Sequence, residues 1–156
     1  QVLEDEWSAR AEGLPYRDAY EALIMASLVE RETGQASERP AIAGVFVRRL
    51  ESGMLLQTDP TVIYGMGERY SGVLHKADLL ADTPWNTYTR KGLPPTPIAL
   101  PGRASIEAAL HPAPTVDLYF VASGKGDGRH TFSATLSAHN AAVAAYVASQ
   151  RKGPAR

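Results

Sequence analysis

The segment that most constrains the fold runs from residue 22 to residue 33 and reads Ala-Leu-Ile-Met-Ala-Ser-Leu-Val-Glu-Arg-Glu-Thr. At about 100° per residue, its largest apolar side chains fall within roughly 140° of arc on a helix. They are Ile24, Met25, Leu28 and Val29. The pattern predicts a helix from about Asp18 to Thr33 that buries one face and ends near Gly34, a residue type common after helix C-termini.

Glu32 projects into this apolar arc, whereas Glu30 points to roughly the opposite side. A carboxyl among apolar neighbours loses hydration of its charged form, so the pKa of Glu32 should be raised. A carboxyl that stays protonated near neutral pH is suited to act as the general acid in glycosidic bond cleavage. Periodicity alone leaves a second interpretation open, a partly buried glutamate paired with an arginine, because Glu21 maps to the same side.

Composition excludes several classes of function. The 156 residues suffice for one domain, and 44% hydrophobic with 21% charged residues is typical of a soluble globular protein. Sixteen basic residues nearly balance 17 acidic ones, so no global charge favours nucleic acid or an anionic membrane. Cysteine is absent, which excludes disulfides and thiolate chemistry. No run of about 20 apolar residues could span a bilayer.

The rest of the chain predicts a mostly helical α+β domain. Ser37 is the expected N-cap of a second helix that reaches Ser52 and ends at Gly53, so that the first two helices form a hairpin. Asp59 is the expected N-cap of a short helix to Tyr64. Further helices are predicted at 76–80, 104–110 and 136–148, and residues 1–16 are expected to be irregular. Strands at 117–122 and 129–133 flank a glycine-rich turn and predict a small antiparallel hairpin.

Because the chain begins at Gln1, we expect a piece of a longer protein, with residues 1–150 forming a single domain and the basic residues 151–156 a frayed tail.

Polar residues near Glu32 could orient a sugar without competing for its proton. Gln57 and the hydroxyls of Thr33 and Thr58 have suitable chemistry, although a polar loop would also explain Gln57 and Thr58. Asp59 is a candidate for the same site, but the capping role is the favoured explanation for it.

Aromatic and amide side chains are interleaved at Trp85-Asn86-Thr-Tyr88, within an extended loop bracketed by prolines. Flat rings pack against sugar faces, and amides bind hydroxyl and N-acetyl groups, so Trp85, Asn86 and Tyr88 are candidate substrate-binding residues. Tyr64 could belong to the same surface. The alternative is a loop that its aromatic residues hold against the core.

The four histidines do not have the i,i+4 spacing of a helical zinc pair, so no metal site is predicted, and no cofactor is needed. His130, on a predicted strand, and His139, on the last predicted helix, are each expected to make a structural hydrogen bond.

Several strings along the chain resemble the MltG-type (YceG-like) endolytic murein transglycosylases of bacteria. They are Ala26-Ser-Leu-Val-Glu-Arg-Glu-Thr33, Leu56-Gln-Thr-Asp-Pro-Thr-Val-Ile-Tyr-Gly65, Asn86-Thr-Tyr88, Gly92-Leu-Pro-Pro95, Ala99-Leu-Pro-Gly102, Leu118-Tyr-Phe-Val121, His130-Thr-Phe132 and His139-Asn140. The resemblance covers about Leu23 to Tyr146. Trp85 stands where the family pattern has tyrosine.

The resemblance implies a lysozyme-like catalytic domain that cleaves peptidoglycan, with Glu32-Thr33 as the family's Glu-Ser or Glu-Thr pair and Glu32 as the catalytic acid. It implies non-hydrolytic cleavage of the β-1,4 bond between N-acetylmuramic acid (MurNAc) and N-acetylglucosamine (GlcNAc), which gives 1,6-anhydro ends. It also implies a longer parent protein with a membrane anchor and a LysM-like region, acting at the periplasmic face of the inner membrane. Glycan strands are the expected partner, with cell-wall synthases as further candidates and a monomer as the default state.

Two other functions stay open on the sequence. A lysozyme-type muramidase would use a second carboxylate, Glu38 or Asp59, to activate water or attack the sugar. A non-catalytic glycan-binding module would need no acid at all.

Overall fold

The computed structural model describes residues 2–151. Its helices are α1 (Val2–Ser8), α2 (Ala19–Glu32), α3 (Arg39–Ser52), α4 (Asp59–Met66), α5 (Lys76–Leu80), α6 (Arg103–Leu110) and α7 (Leu136–Arg151). Its strands are β1 (Tyr119–Ala122) and β2 (His130–Ser133), which pair antiparallel with Phe120 opposite Phe132. The α+β prediction, mostly helical with a small antiparallel hairpin near the C-terminus, is therefore confirmed. The expected tail lies largely outside the described residues.

The core forms around α2, as its apolar arc predicts. Met25, Leu28 and Val29 are fully buried, and α2 packs against α6 and α3. Asp18 caps the start of α2 by accepting a hydrogen bond from the Glu21 N–H at 3.0 Å. The helix ends at Glu32, which places this carboxyl at the edge of the core and not in its centre.

The connection between α2 and α3 differs from the prediction. Ser37 is not an N-cap, because residues 36–38 form a short 3₁₀ turn and α3 begins at Arg39 after Glu38. Pro40 lies in the first turn of α3, where its missing N–H costs little. Gly53 closes α3 in the left-handed conformation with φ of 74°, as expected.

Two predictions about helix starts are also wrong. Residues 2–8 are helical and not irregular, because Leu3 and Trp7 lie one helical turn apart and pack against the core. Asp59 is not the N-cap of α4. Thr58 occupies that position, which puts the Asp59 side chain in the first helical turn.

The β-hairpin is attached to the 3₁₀ turn and α3 on one side and to α7 on the other. Gln35 donates from its side-chain amide to the Asp127 carbonyl at 2.6 Å, and Glu38 binds His130. Helix α7 packs along both strands, yet none of its described residues is buried. Within residues 2–151, no helix is both long and apolar enough to cross a membrane.

Candidate active site

Glu32 and Thr58 form the centre of the candidate site. The Thr58 hydroxyl donates to Glu32 Oε2 at 2.6 Å, and the side chain of Thr58 is almost completely buried. Thr87 fixes this arrangement from the loop after α5. Its hydroxyl accepts from the Thr58 N–H at 3.0 Å, and its carbonyl accepts from the Gln57 N–H at 3.2 Å.

The surroundings of Glu32 raise the pKa of its carboxyl. Burial is the main cause, because a carboxylate loses hydration there, and the negative charge of Asp59 acts in the same direction. The Thr58 hydrogen bond and the nearby His130 lower the pKa but do not outweigh burial. Glu32 is thus biased toward the protonated form that a general acid requires.

Glu32 opens onto a cavity of about 260 Å³, called here the acid cavity. Three of the predicted site residues, Gln57, Asp59 and Tyr88, line it together with Glu32. Leu56 and Phe120 supply apolar surface, and Phe120 is held edge-on against the core Phe46. The acid cavity therefore combines one carboxyl biased to be neutral with polar and apolar walls, as ligand sites do.

Asp59 and Tyr88 are bonded to each other in this cavity. The Tyr88 hydroxyl donates to Asp59 Oδ1 at 2.5 Å. Burial and this hydrogen bond raise the pKa of Tyr88, so the phenol stays neutral and remains a donor. Asp59 is exposed and is the second carboxyl of the cavity.

Gln57 has an unusual backbone. Its φ of 52° is the only positive φ of a non-glycine residue in the described chain. A non-glycine residue keeps this strained backbone conformation only where surrounding contacts hold it, and such residues are frequent at functional sites. The Arg49 guanidinium, 3.4 Å away, orients the amide oxygen of Gln57.

Arg49 lines the acid cavity and was not predicted as a site residue. It is only 8% exposed and donates to the carbonyls of Leu118 at 2.7 Å and Leu55 at 2.9 Å. Burial lowers the pKa of its guanidinium. The sequence did contain a signal, because Arg49 continues the apolar stripe of α3 at seven residues from Ile42 and four from Val45.

His139 is the other ionisable residue of the cavity that was not predicted as a site residue, and the prediction that it makes a structural hydrogen bond is wrong. Its Nδ1 is buried without a hydrogen-bond partner among the described residues, and its ring stacks on Tyr119 at 5.0 Å. Burial and the charge of Arg49 lower the pKa of His139, which favours the neutral imidazole. For His130 the prediction is confirmed, because its Nδ1 lies 2.9 Å from Glu38 Oε1.

Five predicted site residues do not line the acid cavity: Thr33, Thr58, Tyr64, Trp85 and Asn86. Asn86 is fully buried and uses its amide within the protein, donating to the carbonyls of Leu79 and Ala81 and accepting from the Tyr88 N–H. A direct substrate contact by Asn86 is incompatible with this burial. Its side chain instead holds the loop that presents Tyr88.

Trp85 and Tyr64 pack edge-on against each other at 5.7 Å, and the Trp85 indole donates to Thr96 at 2.9 Å. Trp85 also contacts the core, as expected of an aromatic residue that holds a loop in place. Thr33 is nearly buried, and its hydroxyl accepts from the Gln35 N–H at 3.0 Å. It lines a neighbouring cavity that also contains Glu32.

The other glutamates of this region have structural partners. Glu30 accepts from the Gly102 N–H at 2.8 Å and from the Ser105 hydroxyl at 3.1 Å, which lowers its pKa. Glu38 is nearly buried and bound to His130, and Glu21 pairs with Arg17 at 2.8 Å. No group of three or more His, Asp or Glu side chains in the described part of the chain could hold a metal ion.

A model of the YceG-like family matches residues 1–145. This chain belongs to the YceG-like family. The predicted resemblance is thereby confirmed at the level of the family.

Two relatives of this YceG-like chain are named endolytic murein transglycosylases. An endolytic murein transglycosylase of Bacillus subtilis (strain 168) is 47% identical over 133 residues, which are 85% of this chain and 36% of that protein. One of Streptococcus pneumoniae serotype 2 (strain D39) is 34% identical over 134 residues, 83% of this chain and 24% of that protein. The chain thus spans between 24% and 36% of the length of these relatives.

A YceG-like protein of known structure, from Listeria monocytogenes, has the same fold. It is 40% identical and superimposes with a TM-score of 0.77 over 89% of this chain and 43% of that chain.

Proposed function

We propose that this chain is the catalytic domain of a lytic transglycosylase that cleaves the β-1,4 bond between MurNAc and GlcNAc in peptidoglycan. One observation carries the proposal, the partly buried Glu32 carboxyl with a raised pKa at the edge of the acid cavity. Membership of the YceG-like family and relatives named endolytic murein transglycosylases support the substrate and the reaction class.

The proposed reaction has two proton transfers by the same carboxyl. Glu32 first donates its proton to the glycosidic oxygen as the bond from that oxygen to C1 of MurNAc breaks. The resulting carboxylate then removes the proton of the muramyl 6-hydroxyl as O6 forms a bond to C1. The carboxyl ends protonated, no water is consumed, and the products are a 1,6-anhydro end and a free 4-hydroxyl.

Neighbouring residues support these steps. The Thr58 hydroxyl donates to the Glu32 carboxylate, so it stabilises the charged state between the two transfers. The negative charge of Asp59 stabilises positive charge at C1, and Tyr88 holds Asp59 in place. Gln57 is proposed to bind the sugar, and Arg49 to position Gln57.

A lysozyme-type muramidase is the second candidate, because Asp59 lines the same cavity as Glu32. In that mechanism Asp59 would activate water or attack the sugar, and the products would carry reducing ends. Glu38 does not support this mechanism, since both of its carboxylate oxygens bind His130.

Mass spectrometry of peptidoglycan strands digested by the chain separates these reactions. We expect 1,6-anhydro MurNAc ends, each one water lighter than a reducing end. Reducing ends would establish the hydrolase instead. If the wild-type chain binds the strands but leaves them intact, the third hypothesis, a non-catalytic glycan-binding module, is indicated.

The proposed substrate also suggests where the protein acts and with which partners. We propose that residues 1–150 act as one domain within a longer protein anchored at the periplasmic face of the inner membrane, where glycan strands are made. Cutting of nascent strands next to cell-wall synthases fits this location, and we propose that the domain acts as a monomer. Fractionation of cells and pull-down of the full-length protein test the location and the synthases.

A further inference from the structure

A second cavity meets the acid cavity at Glu32. It measures about 330 Å³ and lies between the end of α2, the hairpin turn and the second half of α7. Within residues 2–151, Glu32 is the one residue that lines both cavities. The second cavity is called here the turn cavity. An acid that cleaves the bond between two sugars needs a bound sugar on each side of it. The turn cavity gives Glu32 open space on its second side, where such a sugar could bind.

Helix α7 forms a wall common to both cavities. His139 lines the acid cavity, whereas Tyr146 and Gln150 line the turn cavity. At about 100° per residue, these three positions fall within roughly 40° on the helix, and they span about 16 Å along its axis. One face of α7 therefore runs past Glu32 and borders both cavities, although no described residue of α7 is buried by the protein itself.

Hydrogen bonds and close packing hold the opposite wall, which is the hairpin turn. Asp127 accepts hydrogen bonds from the Ser123 hydroxyl at 2.8 Å and the Arg129 N–H at 2.9 Å, which close the turn on itself. Gln35 ties the same turn to the segment after α2. The turn also fits tightly against α7, since a Cβ atom on Gly124 would collide with the Ser149 hydroxyl. A cavity with fixed walls binds a ligand at a lower entropic cost.

The residues that line the turn cavity have the chemistry of a saccharide site. Tyr146 provides an aromatic ring, and Gln150 an amide one turn further along the same helix face. Arg129 contributes a guanidinium donor at the turn. Rings pack against the apolar faces of sugars, while amide and guanidinium groups bind hydroxyl and acetamido oxygens.

We propose that the turn cavity is a second saccharide subsite, so that one glycan strand lies along α7 with sugars on both sides of Glu32. The inference rests on the proposed function of the acid cavity. It assigns a binding role to Tyr146 and Gln150 of α7 and to the glycine-rich turn, which the sequence predicted only as a hairpin connection.

Gly34 offers a way to fill the turn cavity. It lines the cavity, a Cβ atom there would meet nothing within 4 Å, and its backbone is not in the left-handed region. Gly34→Phe therefore adds a ring to the cavity without backbone strain. Ala145→Phe is the matched control, because it adds the same ring at an exposed position of α7 that lines neither cavity.

The test is calorimetric binding in the Glu32→Gln background, which prevents cleavage. The ligands are a GlcNAc–MurNAc disaccharide and the tetrasaccharide with two such repeats. We expect the tetrasaccharide to bind at least tenfold more tightly, Gly34→Phe to reduce its affinity to that of the disaccharide, and Ala145→Phe to change nothing. Tyr146→Ala is a second variant, expected to weaken the tetrasaccharide at least fivefold, and far-UV circular dichroism checks that each variant is folded.

Equal affinities for the two ligands, or an unchanged tetrasaccharide affinity in folded Gly34→Phe and Tyr146→Ala, would overturn the subsite. Cleavage of strands by the chain with Glu32 intact is measured separately. A chain that cleaves but shows no tetrasaccharide preference refutes the subsite alone. A chain that shows the preference and its loss in Gly34→Phe, but does not cleave, supports the subsite and refutes the proposed reaction.

Discussion

Two glutamates two residues apart on α2 show how position decides the chemistry of a carboxyl. Glu30 accepts two hydrogen bonds at the start of α6, which stabilise its charge and lower its pKa. Glu32 accepts one from Thr58 and is partly buried, and this burial is the main cause of its raised pKa. The helical periodicity of the segment separates the two residues by about 200°, which predicts that they face different surroundings.

Replacing Glu32 with Gln should abolish cleavage and stabilise the fold at high pH. Loss of a general acid typically costs about 10²–10⁴-fold in rate, so we expect at least a hundredfold loss of cleavage. Because the folded pKa of Glu32 is raised, its ionisation costs stability as pH rises through that value. The variant should thus be more stable than wild type by roughly 1 kcal/mol at pH 8 and equal to it well below pH 4.5, the ordinary value for the carboxyl.

Thermal melts at pH 8 and pH 3.5 beside a cleavage assay check both parts of this prediction. Residual cleavage near the wild-type rate would remove Glu32 from the mechanism. A variant less stable than wild type at pH 8 would mean that the carboxylate is well solvated or paired.

Replacing Thr58 with Val should move the pH dependence of cleavage. The Thr58 hydroxyl stabilises the Glu32 carboxylate, so its removal raises the pKa of Glu32 further and keeps the acid protonated to higher pH. We expect the alkaline limb of the pH profile of kcat/KM to shift to higher pH. The free energy of unfolding should fall by about 1 kcal/mol. Thr131→Val, at an exposed position of β2, is the control and should leave the limb in place. A downward shift in the Thr58 variant would contradict the assigned donor.

At the scale of elements, Glu30 connects α2 to the N-terminus of α6. Its carboxylate lies where the helix dipole favours negative charge, and we expect Glu30→Gln to cost about 1 kcal/mol at pH 7. Because the folded pKa of Glu30 is lowered, this stabilisation is present at neutral pH and disappears as pH falls through that value. Urea denaturation at pH 7 and pH 3 measures the difference. A cost that persists undiminished at pH 3 would mean that the negative charge does not matter.

Gly44 in α3 allows residues 113–117 to pack closely on that helix. A Cβ atom there would lie 2.8 Å from the Ala113 carbonyl oxygen and 2.8 Å from Arg48. Alanine gains about 1 kcal/mol in helix propensity, but overpacking typically costs about 1–3 kcal/mol, so we expect Gly44→Ala to be net destabilising by roughly 1 kcal/mol. Gly34→Ala, with open space around its Cβ, is the control in urea denaturation. Stability at or above wild type would show that the helix can shift freely.

Sequence patterns predicted the elements well where local signals were strong. Elements of the correct type were predicted from the long apolar arc of α2, from the glycine that ends α3 and from the alternating pattern around the glycine-rich turn. Helix α1 was missed because only Leu3 and Trp7 mark its buried side, and two apolar residues are a weak periodic signal. The start of α3 was misplaced because the inserted 3₁₀ turn removes Ser37 from the helix end.

At the scale of the whole molecule, the site depends on contacts that no local pattern contains. Thr58 reaches Glu32 only because Thr87, 29 residues further along the chain, positions its backbone. The structure brings the predicted residues Gln57, Asp59 and Tyr88 to the cavity that Glu32 lines. Asn86 was predicted to bind the substrate, but its amide is used within the fold. Periodicity places Arg49 on the apolar stripe of α3, but the roles of Arg49 and His139 depend on how α3 and α7 pack against the hairpin, which periodicity cannot give.

The raised pKa of Glu32 is therefore a property of the folded chain as a whole. Carbon-detected NMR titration of the side-chain carboxyls, in the folded chain and in urea, tests it most directly, with Glu30 as an internal comparison. We predict that the two glutamates titrate alike when unfolded, whereas in the folded chain Glu32 titrates above 4.5 and Glu30 below it. A folded-state pKa of Glu32 at or below 4.5 would contradict the account.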